Sequence, residues 1–312
     1  MALEHPALDG ISVFERGWLS SNNILVHAAA GEDGALLIDS SHAHHAAQTV
    51  QLVRHGLAPR GERLRLLVNT HLHSDHCGGN AALQQAFGMP VWIPPGQADE
   101  VRAWSRSLSH VAAGQQCMRF TIDGVLEPGQ VLRGGGRDWQ VLAAPGHDAH
   151  AVMLFDAKHG LLVSADALWQ DGFGVVFPEL DGASGFDEVG EVLELIASLP
   201  VRLVIPGHGA PFDDVAGALQ RARSRLQAFR GNPARHARYA SKVFVKYRLM
   251  EMRTQTLAEL QAWAREVGLL QALWQRHPPP GGGDVDERIE ALVAELVRGG
   301  ALAIEDGLIV DR

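Results

Sequence analysis

The sequence predicts an α/β layered domain followed by a small, mainly helical domain. Up to about residue 215, short apolar runs of strand length alternate with turn signals and amphipathic helical segments, a mixture typical of layered α/β domains. Beyond that point the pattern is helical, and residues 219–253 hold ten Lys or Arg against one acid although the net charge of the chain is −9. We therefore predict two domains, at residues 1–231 and 232–312.

The first domain has strand-like runs bounded by turn residues and separated by a few helical segments. In chain order the predicted strands are ISVFERG, NNILVHA, GALLIDS, RLRLLVNT, PVWIP, WQVLAAPG, AVMLFD, GLLVSAD and RLVIPG. The predicted helices are AAQTVQLVRHGL and segments near residues 79–88, 96–112 and 187–199. Loops at the strand ends of such a domain are where functional side chains are held.

The second part begins with two helices, VAGALQRARSRLQAFRG, which Gly231 closes, and NPARHARYASKVFVKYRLMEMR, which an Asn-Pro pair opens. TLAELQAWAREVG and DVDERIEALVAELVRGG predict two more helices, separated by a PPPGGG linker. The final ALAIEDGLIVDR has a turn signal between two apolar runs and predicts a hairpin. Helices followed by a hairpin resemble a winged-helix module.

Composition narrows the class of protein. The apolar content of 46% is sufficient for a sizeable core, and neither a signal-peptide pattern nor a membrane-spanning apolar run is present. We expect a soluble, cytoplasmic protein without membrane partners. The two cysteines, Cys77 and Cys117, are too few for a disulfide framework and suit a reducing compartment.

The stretch NTHLHSDHCGGN follows a predicted buried strand and is dense in metal-ligand side chains. His71 and His73, two residues apart in an extended segment, point the same way, and Asp75 and His76 follow where they can face a second ion. The paired glycines 78 and 79 fit a chain that must turn tightly into a helix. The pattern predicts a metal site with imidazole and carboxylate ligands.

Three later strand ends have the same character, because each strand is followed directly by another ligand-type side chain. These are His147 in APGHDAH, Asp166 in VSADAL and His208 in IPGHG. Together the seven side chains are enough for two ions that share a carboxylate. We expect two divalent metal ions, zinc first, with iron or manganese as alternatives.

His71 to His76 match the His-x-His-x-Asp-His signature residue for residue, and the sequence resembles the metallo-β-lactamase superfamily over residues 11–215. The resemblance implies an αββα sandwich. It implies a first metal on His71, His73 and His147, a second on Asp75, His76 and His208, and Asp166 as the bridge. Asp39 and His150 would support these ligands without binding metal. Asp166 stands where true β-lactamases of this fold commonly have cysteine, so the pattern is similar to the glyoxalase II branch.

Two cations that share a water lower its pKa to about 7, which yields a bridging hydroxide at neutral pH. We therefore predict a metallo-hydrolase in which Asp75 also orients the nucleophile. The predicted substrate is a small anionic or acyl molecule: a thioester, ester or lactone. The alternatives are a single-strand endoribonuclease or other phosphodiesterase, and a non-catalytic metal-binding protein with a dimerising winged helix.

Residues that could contact the substrate come from the loops after strands and from the basic helix. Aromatic and amide side chains near the metal motifs, and basic and tyrosine side chains of the kind that bind glutathione in the glyoxalase II branch, supply the candidates. They are Trp18, Asn22, Trp169, Phe173, Phe177, Lys242, Lys246 and Tyr247.

Two further clusters have open interpretations. The basic stripe in residues 219–253 suggests an anionic partner or, equally, a helix face paired with acids elsewhere. The acidic fourth helix disfavours nucleic acid without excluding it, and a homodimer through residues 232–312 stays open. His42, His44 and His45 open a predicted surface helix, where we expect no metal.

Overall fold

The computed structural model describes residues 4–278 and 282–312, so residues 279–281 of the predicted Pro-Gly linker lie outside it. Its strands form two large sheets and one small sheet. The strands are β1 Ile11–Phe14, β2 Asn23–Val26, β3 Ala35–Ile38, β4 Leu64–Val68, β5 Val91–Ile93, β6 Gly124–Val125, β7 Val131–Gly134, β8 Arg137–Ala143, β9 Val152–Asp156, β10 Leu161–Ala165, β11 Leu203–Pro206, β12 Thr254–Gln255, β13 Leu302–Glu305 and β14 Leu308–Asp311.

The helices cover the outer faces of the large sheets and form the C-terminal part. They are α1 Ala46–Leu57, α2 Ser74–Cys77, α3 Asn80–Phe87, α4 Ala98–Ala103, α5 Ser109–Ala112, α6 Phe177–Asp181, α7 Phe186–Ser198, α8 Val215–Gly231, α9 Pro233–Met252, α10 Leu257–Glu266, α11 Gly268–Arg276 and α12 Val285–Arg298. None of the described helices combines the length and the apolarity needed to cross a bilayer.

The two large sheets pack face to face, with helices outside. One has the order β1-β2-β3-β4-β5-β6 and the other β11-β10-β9-β8-β7. Alternate side chains of both sheets, among them Ile38, Val68, Trp139 and Val163, form one core between them. The opposite faces pack against α1 and α3 on one side and against α7 and α8 on the other. This is the αββα sandwich that the resemblance implied.

The C-terminal helices pack around their own apolar core, which also contacts α6. A small sheet of order β12-β14-β13 ends the chain, with β13 and β14 as the predicted hairpin. Helices α8 and α9 begin and end within a residue or two of the predicted bounds. Winged-helix character and the boundary at residue 231 stay predictions.

Several elements differ from the expectations. The helix predicted near 96–112 is interrupted at Trp104, whose φ of 52° is left-handed and ends α4. Helix α11 and strands β6, β7 and β12 were not predicted, because they are short or lack a clear period. Gly78 and Gly79 have ordinary helical φ angles, of −63° and −86°. Their small size is needed instead for packing, since an added Cβ would lie 2.1–2.5 Å from backbone atoms of Ser40 and Ala43.

Candidate metal centre

The centre lies where strand ends of the two large sheets meet. Strand β4 leads through Asn69 and Thr70 to His71, and His73 stands just before the short helix α2, which carries Asp75 and His76. The other sheet supplies His147 after β8, Asp166 directly after β10 and His208 after β11. The parallel pairing of β10 and β11 places their carboxyl ends side by side. Seven predicted ligands from distant parts of the chain therefore converge.

His71, His73 and His147 form the first cluster of donor atoms. Nδ1 of His73 lies 3.1 Å from Nε2 of His71 and 2.7 Å from Nε2 of His147. Burial, followed by repulsion from neighbouring imidazoles, lowers the pKa of His71, and burial lowers the pKa of His73 and of His147 to about 4. Neutral imidazoles with lone pairs facing one point are what a cation requires.

Asp75, His76, Asp166 and His208 form the second cluster. Oδ2 of Asp75 lies 3.0 Å from Nε2 of His208, and Nε2 of His76 lies 3.5 Å from Oδ2 of Asp166. Burial opposes ionisation of Asp75, but His76 and His208 outweigh it and hold its pKa at about 2. The second cluster thus presents ionised carboxylates among imidazoles.

Asp166 lies between the clusters. Its Oδ2 is 3.3 Å from Nε2 of His147 in the first cluster and 3.9 Å from Nε2 of His208 in the second. An added Cβ at Gly207 would approach Oδ1 of Asp166 to 2.2 Å, so only glycine fits there. The carboxylate occupies the place of the predicted bridge.

The donor set fits a pair of divalent cations. Nε2 of His76 is buried without a hydrogen-bond partner among the described residues. An unpaired buried polar atom is costly, and this one faces Oδ2 of Asp166 at 3.5 Å and Oδ2 of Asp75 at 3.8 Å. A metal ion between these donor atoms would supply the missing partner.

Asp39 lies behind the metal loop and contacts one of its histidines. Its Oδ2 lies 2.8 Å from Nδ1 of His76, and its two oxygens accept hydrogen bonds from the backbone and hydroxyl of Thr70 at 2.9 and 2.8 Å. A carboxylate behind a ligand histidine fixes the ring orientation and leaves Nε2 free for the metal. Nδ1 of His147 lies 2.6 Å from the carbonyl of Val175, which fixes that ring in the same way.

His150 has a different position from the predicted one. Its side chain is exposed, and its ring packs against Gly96 rather than behind a ligand histidine. Asp148 takes the nearby place, with Oδ2 3.7 Å from Nε2 of His73. No signal in the sequence separated Asp148 from His150, since both follow His147 in one loop.

A cavity of about 650 Å³ opens onto the clusters. Six of the predicted substrate residues line it: Trp18, Trp169, Phe177, Lys242, Lys246 and Tyr247. The structure does not bring the other two to it. Phe173 is 1% exposed within the apolar core, and Asn22 donates its side-chain amide to the carbonyls of Pro206 and Gly209.

Aromatic rings border the metal donors directly. Phe177 lies with its ring centroid 4.4 Å from that of His73, and Trp18 stacks on His208 at 5.4 Å. Trp169 donates its Nε1–H to Oδ1 of Asp166 at 3.1 Å. These rings form an apolar wall beside the polar centre.

Helix α9 forms much of the opposite wall. Tyr239, Val243, Lys246 and Met250 recur at intervals of three or four residues, so they share the face that lines the cavity. Leu296, from α12, adds to the same wall. Sequence reasoning chose only the polar members of this face. The helical period could have identified Val243 and Met250 as well.

The basic residues of 219–253 are largely paired with acids of other elements. Glu295 accepts from Arg238 at 2.6 Å and from Lys242 at 3.1 Å. Lys246 donates to Asp311 at 2.5 Å and to two backbone carbonyls. Further pairs are Arg221 with Asp214, Arg223 with Glu194, Arg230 with Asp187 and Arg248 with Glu251. The basic stripe is therefore a helix face that is largely paired with acids of other elements, the second of the two interpretations.

Comparison with known proteins assigns the chain to a family. The metallo-beta-lactamase superfamily model matches residues 16–208. A hydroxyacylglutathione hydrolase from Xanthomonas axonopodis pv. citri is 31% identical over 220 residues, 67% of this chain and 73% of the relative. Another from Chelativorans sp. is 28% identical over 175 residues, 53% of this chain, and the chain spans only 60% of that relative.

Some solved structures are similar over nearly the whole chain. One of them, a metallo-beta-lactamase family protein from Thermus thermophilus, has a TM-score of 0.56 at 18% identity, covering 98% of this chain and 99% of its own. At that identity the likeness concerns the fold. It extends through the C-terminal helices, beyond the part that the family model matches.

Proposed function

The chain belongs to the metallo-beta-lactamase superfamily and is a metallo-hydrolase by family, and we propose that it is a dinuclear enzyme that cleaves a small ester, thioester or lactone with an apolar acyl group. The observation that carries the proposal is that two clusters of metal donors open into one cavity with apolar walls. The relatives named hydroxyacylglutathione hydrolase support an acyl substrate.

His71, His73 and His147 would hold one ion, Asp75, His76 and His208 the other, with Asp166 between them. Imidazole and carboxylate donors suit zinc, iron or manganese, and zinc is our first choice. When bound, such ions supply an activated water and polarise a carbonyl oxygen.

The chain's own residues orient and shelter the reaction. Asp75 holds one carboxylate oxygen 3.0 Å from His208 and borders the cavity, where it can accept a hydrogen bond from the attacking water and orient it. Trp169 donates a hydrogen bond to Asp166, so the carboxylate that would lie between the two ions keeps one orientation. Phe177 covers the imidazoles of His73 and His147 on the cavity side.

The walls favour an apolar acyl group. Val243, Phe244, Met250 and Leu296, from helices α9 and α12, line the cavity with apolar side chains. Burial of each methylene of a substrate there contributes about 0.8 kcal/mol. A short aliphatic or aryl acyl chain therefore gains more from this pocket than a polar one.

The paired cations argue against phosphodiester substrates. A protein that binds nucleic acid needs Lys and Arg free to neutralise phosphates. Lys242 and Lys246 line the cavity, but Glu295 and Asp311 already bond to them. RNA is therefore a control substrate in the test rather than a second proposal.

The test combines metal analysis with parallel turnover assays of acyl esters, acyl thioesters, lactones and fluorescent single-stranded RNA on the full chain. We expect acyl turnover that requires metal and disappears in His147→Ala. The matched control is His55→Ala, because His55 is exposed and its ring bonds only to its own helix, at Gln51. RNA cleavage without acyl turnover would overturn the proposal.

A further inference from the structure

A third group of metal-ligand side chains lies outside the catalytic clusters, formed by His42, His44 and Glu251. One donor atom from each lies within 4.8 Å of the others. His42 was expected at the surface but is fully buried, because the end of helix α9 covers it. Glu251 is 6% exposed, and His44 faces solvent.

His42 and Glu251 are a buried pair whose hydrogen bonds are not all made. Nε2 of His42 and Oε1 of Glu251 have no hydrogen-bond partner among the described residues. They lie 3.8 Å apart, too far for a hydrogen bond to each other. Two buried, unpaired polar atoms that face each other across a gap require something between them.

The spacing fits a cation. Two metal–ligand bonds of about 2.1 Å at a roughly tetrahedral angle hold their donor atoms about 3.4 Å apart, and wider angles extend this. In the catalytic centre, Nε2 of His76 and Oδ2 of Asp75 are also 3.8 Å apart. The distance between His42 and Glu251 is therefore one that this molecule already uses between predicted ligands of one ion.

The pair does not hold together as an ion pair. Burial lowers the pKa of His42 to about 4, so its ring is neutral at neutral pH. Glu251 meets its one cationic partner among the described residues through Oε2, which accepts from Arg248 at 2.9 Å. Oε1 stays available, and a neutral imidazole is the form that binds metal.

We propose that His42, Glu251 and His44 bind a third divalent transition-metal ion, zinc or a similar cation, separate from the catalytic pair. Two histidines and a glutamate are a known zinc donor set that leaves a fourth position open. For Nε2 of His42 to bind, its proton must move to Nδ1, which would then give up the hydrogen bond that it accepts from the backbone N–H of His44 at 3.2 Å. Solvent-exposed His44 marks the side from which the ion enters.

The ion would fasten the C-terminal helix to the metal loop. Glu251 is at the end of α9, and His42 precedes the helical turn Ala43–His45, which packs against Gly78. One turn earlier on α9, Tyr247 lies 2.9 Å from the hydroxyl of Ser74, beside Asp75. Loss of the ion should loosen this contact while leaving the catalytic ligands in place.

Zinc stoichiometry tests the inference. The full chain is stripped with chelator, reloaded with excess zinc, passed through gel filtration and analysed for metal by mass spectrometry. We expect His44→Ala and Glu251→Gln to hold one zinc ion fewer per chain than wild type, and His55→Ala to hold the same number. At position 42 we choose His42→Asn as the variant least prone to misfold, since the side-chain oxygen of Asn can still accept the hydrogen bond that caps the turn.

A second readout is thermal unfolding. Zinc should raise the Tm of wild type more than that of His44→Ala, because the variant lacks the ion that joins the two parts. Equal zinc content and equal Tm gains in wild type, His44→Ala and Glu251→Gln would overturn the inference and leave an ordered water in the gap. The inference does not depend on the acyl activity: His147→Ala should lose catalytic zinc and keep this ion.

Discussion

Two clusters of like side chains, the histidines of the metal loop and the cations of residues 219–253, have opposite environments. The donor nitrogens of His71, His73 and His147 meet one another at 3.1 and 2.7 Å, with the nearest carboxylate oxygen, from Asp166, 3.3 Å from His147 alone. The cations of α8 and α9 meet carboxylates from α7, α12 and the last strand. The first cluster needs an external cation, whereas the second already has its counter-charges. Clustering in sequence therefore indicates a ligand only when the fold leaves the cluster unpaired.

The largest effect should come from removing Asp166, the carboxylate that lies between the two groups of candidate metal donors. In Asp166→Asn we expect activity to fall by at least about 10³-fold and metal content to drop, because the carboxylate between the two clusters is lost. Metal analysis and acyl turnover measure both. Asp138→Asn, a change at an exposed carboxylate paired with exposed Arg133, is the control. Full activity in Asp166→Asn would contradict the assigned bridge.

Loss of Asp39, which holds the ligand histidine His76 from behind, should reduce metal affinity and activity less than loss of a donor itself. Asp39→Asn removes the charge behind Nδ1 of His76 while keeping the shape of the side chain. We expect metal affinity or activity to fall by about 10–100-fold. Competition with a chromophoric chelator measures the affinity. An unchanged affinity would mean that Thr70 alone holds the loop.

The apolar side chains on the cavity-lining face of helix α9 should determine which acyl group the cavity prefers. In Val243→Ala we expect kcat/KM for an aryl acyl ester to fall about 10-fold, since an enlarged apolar pocket loses contacts of about 1–3 kcal/mol. The acetyl ester should change little and serves as the internal control. If both esters lose activity equally, the acyl group does not reach Val243.

The smallest effect should come from the ion pairs themselves. Glu295→Gln removes the partner of Lys242 and Arg238, both of which are partly exposed, so the change in unfolding free energy should be under about 1 kcal/mol. Fluorescence anisotropy should show RNA binding that appears only in the variant and only at low salt. Strong binding by wild type at physiological salt would contradict the view of α9 as a neutralised face.

Local pattern was sufficient for much of the fold and for the position of most candidate donors. Strand periods predicted β4, β8, β10 and β11, and ligand-type residues at their ends converge in the structure. Helix α8 has its predicted bounds because Gly231 ends a clean helical period. Whether those side chains bind metal is what the experiments above decide.

Contacts between distant segments could not be read from the sequence. The burial of His42 depends on Glu251 and Tyr247, which lie far along the chain in helix α9. No residue near His42 in the sequence indicates this burial. The neutralisation of Lys242 likewise depends on Glu295 of another helix. Phe173 looked like a pocket residue beside Asp166, but the loop turns its ring into the core under Arg225.

The wall that α9 contributes has a consequence for how such an enzyme can diversify. All seven candidate donors of the catalytic pair come from the sandwich, while Val243, Lys246 and Met250 come from a helix that supplies none of these seven. Substitutions on that helix face should therefore change substrate preference while every one of the seven donors is kept.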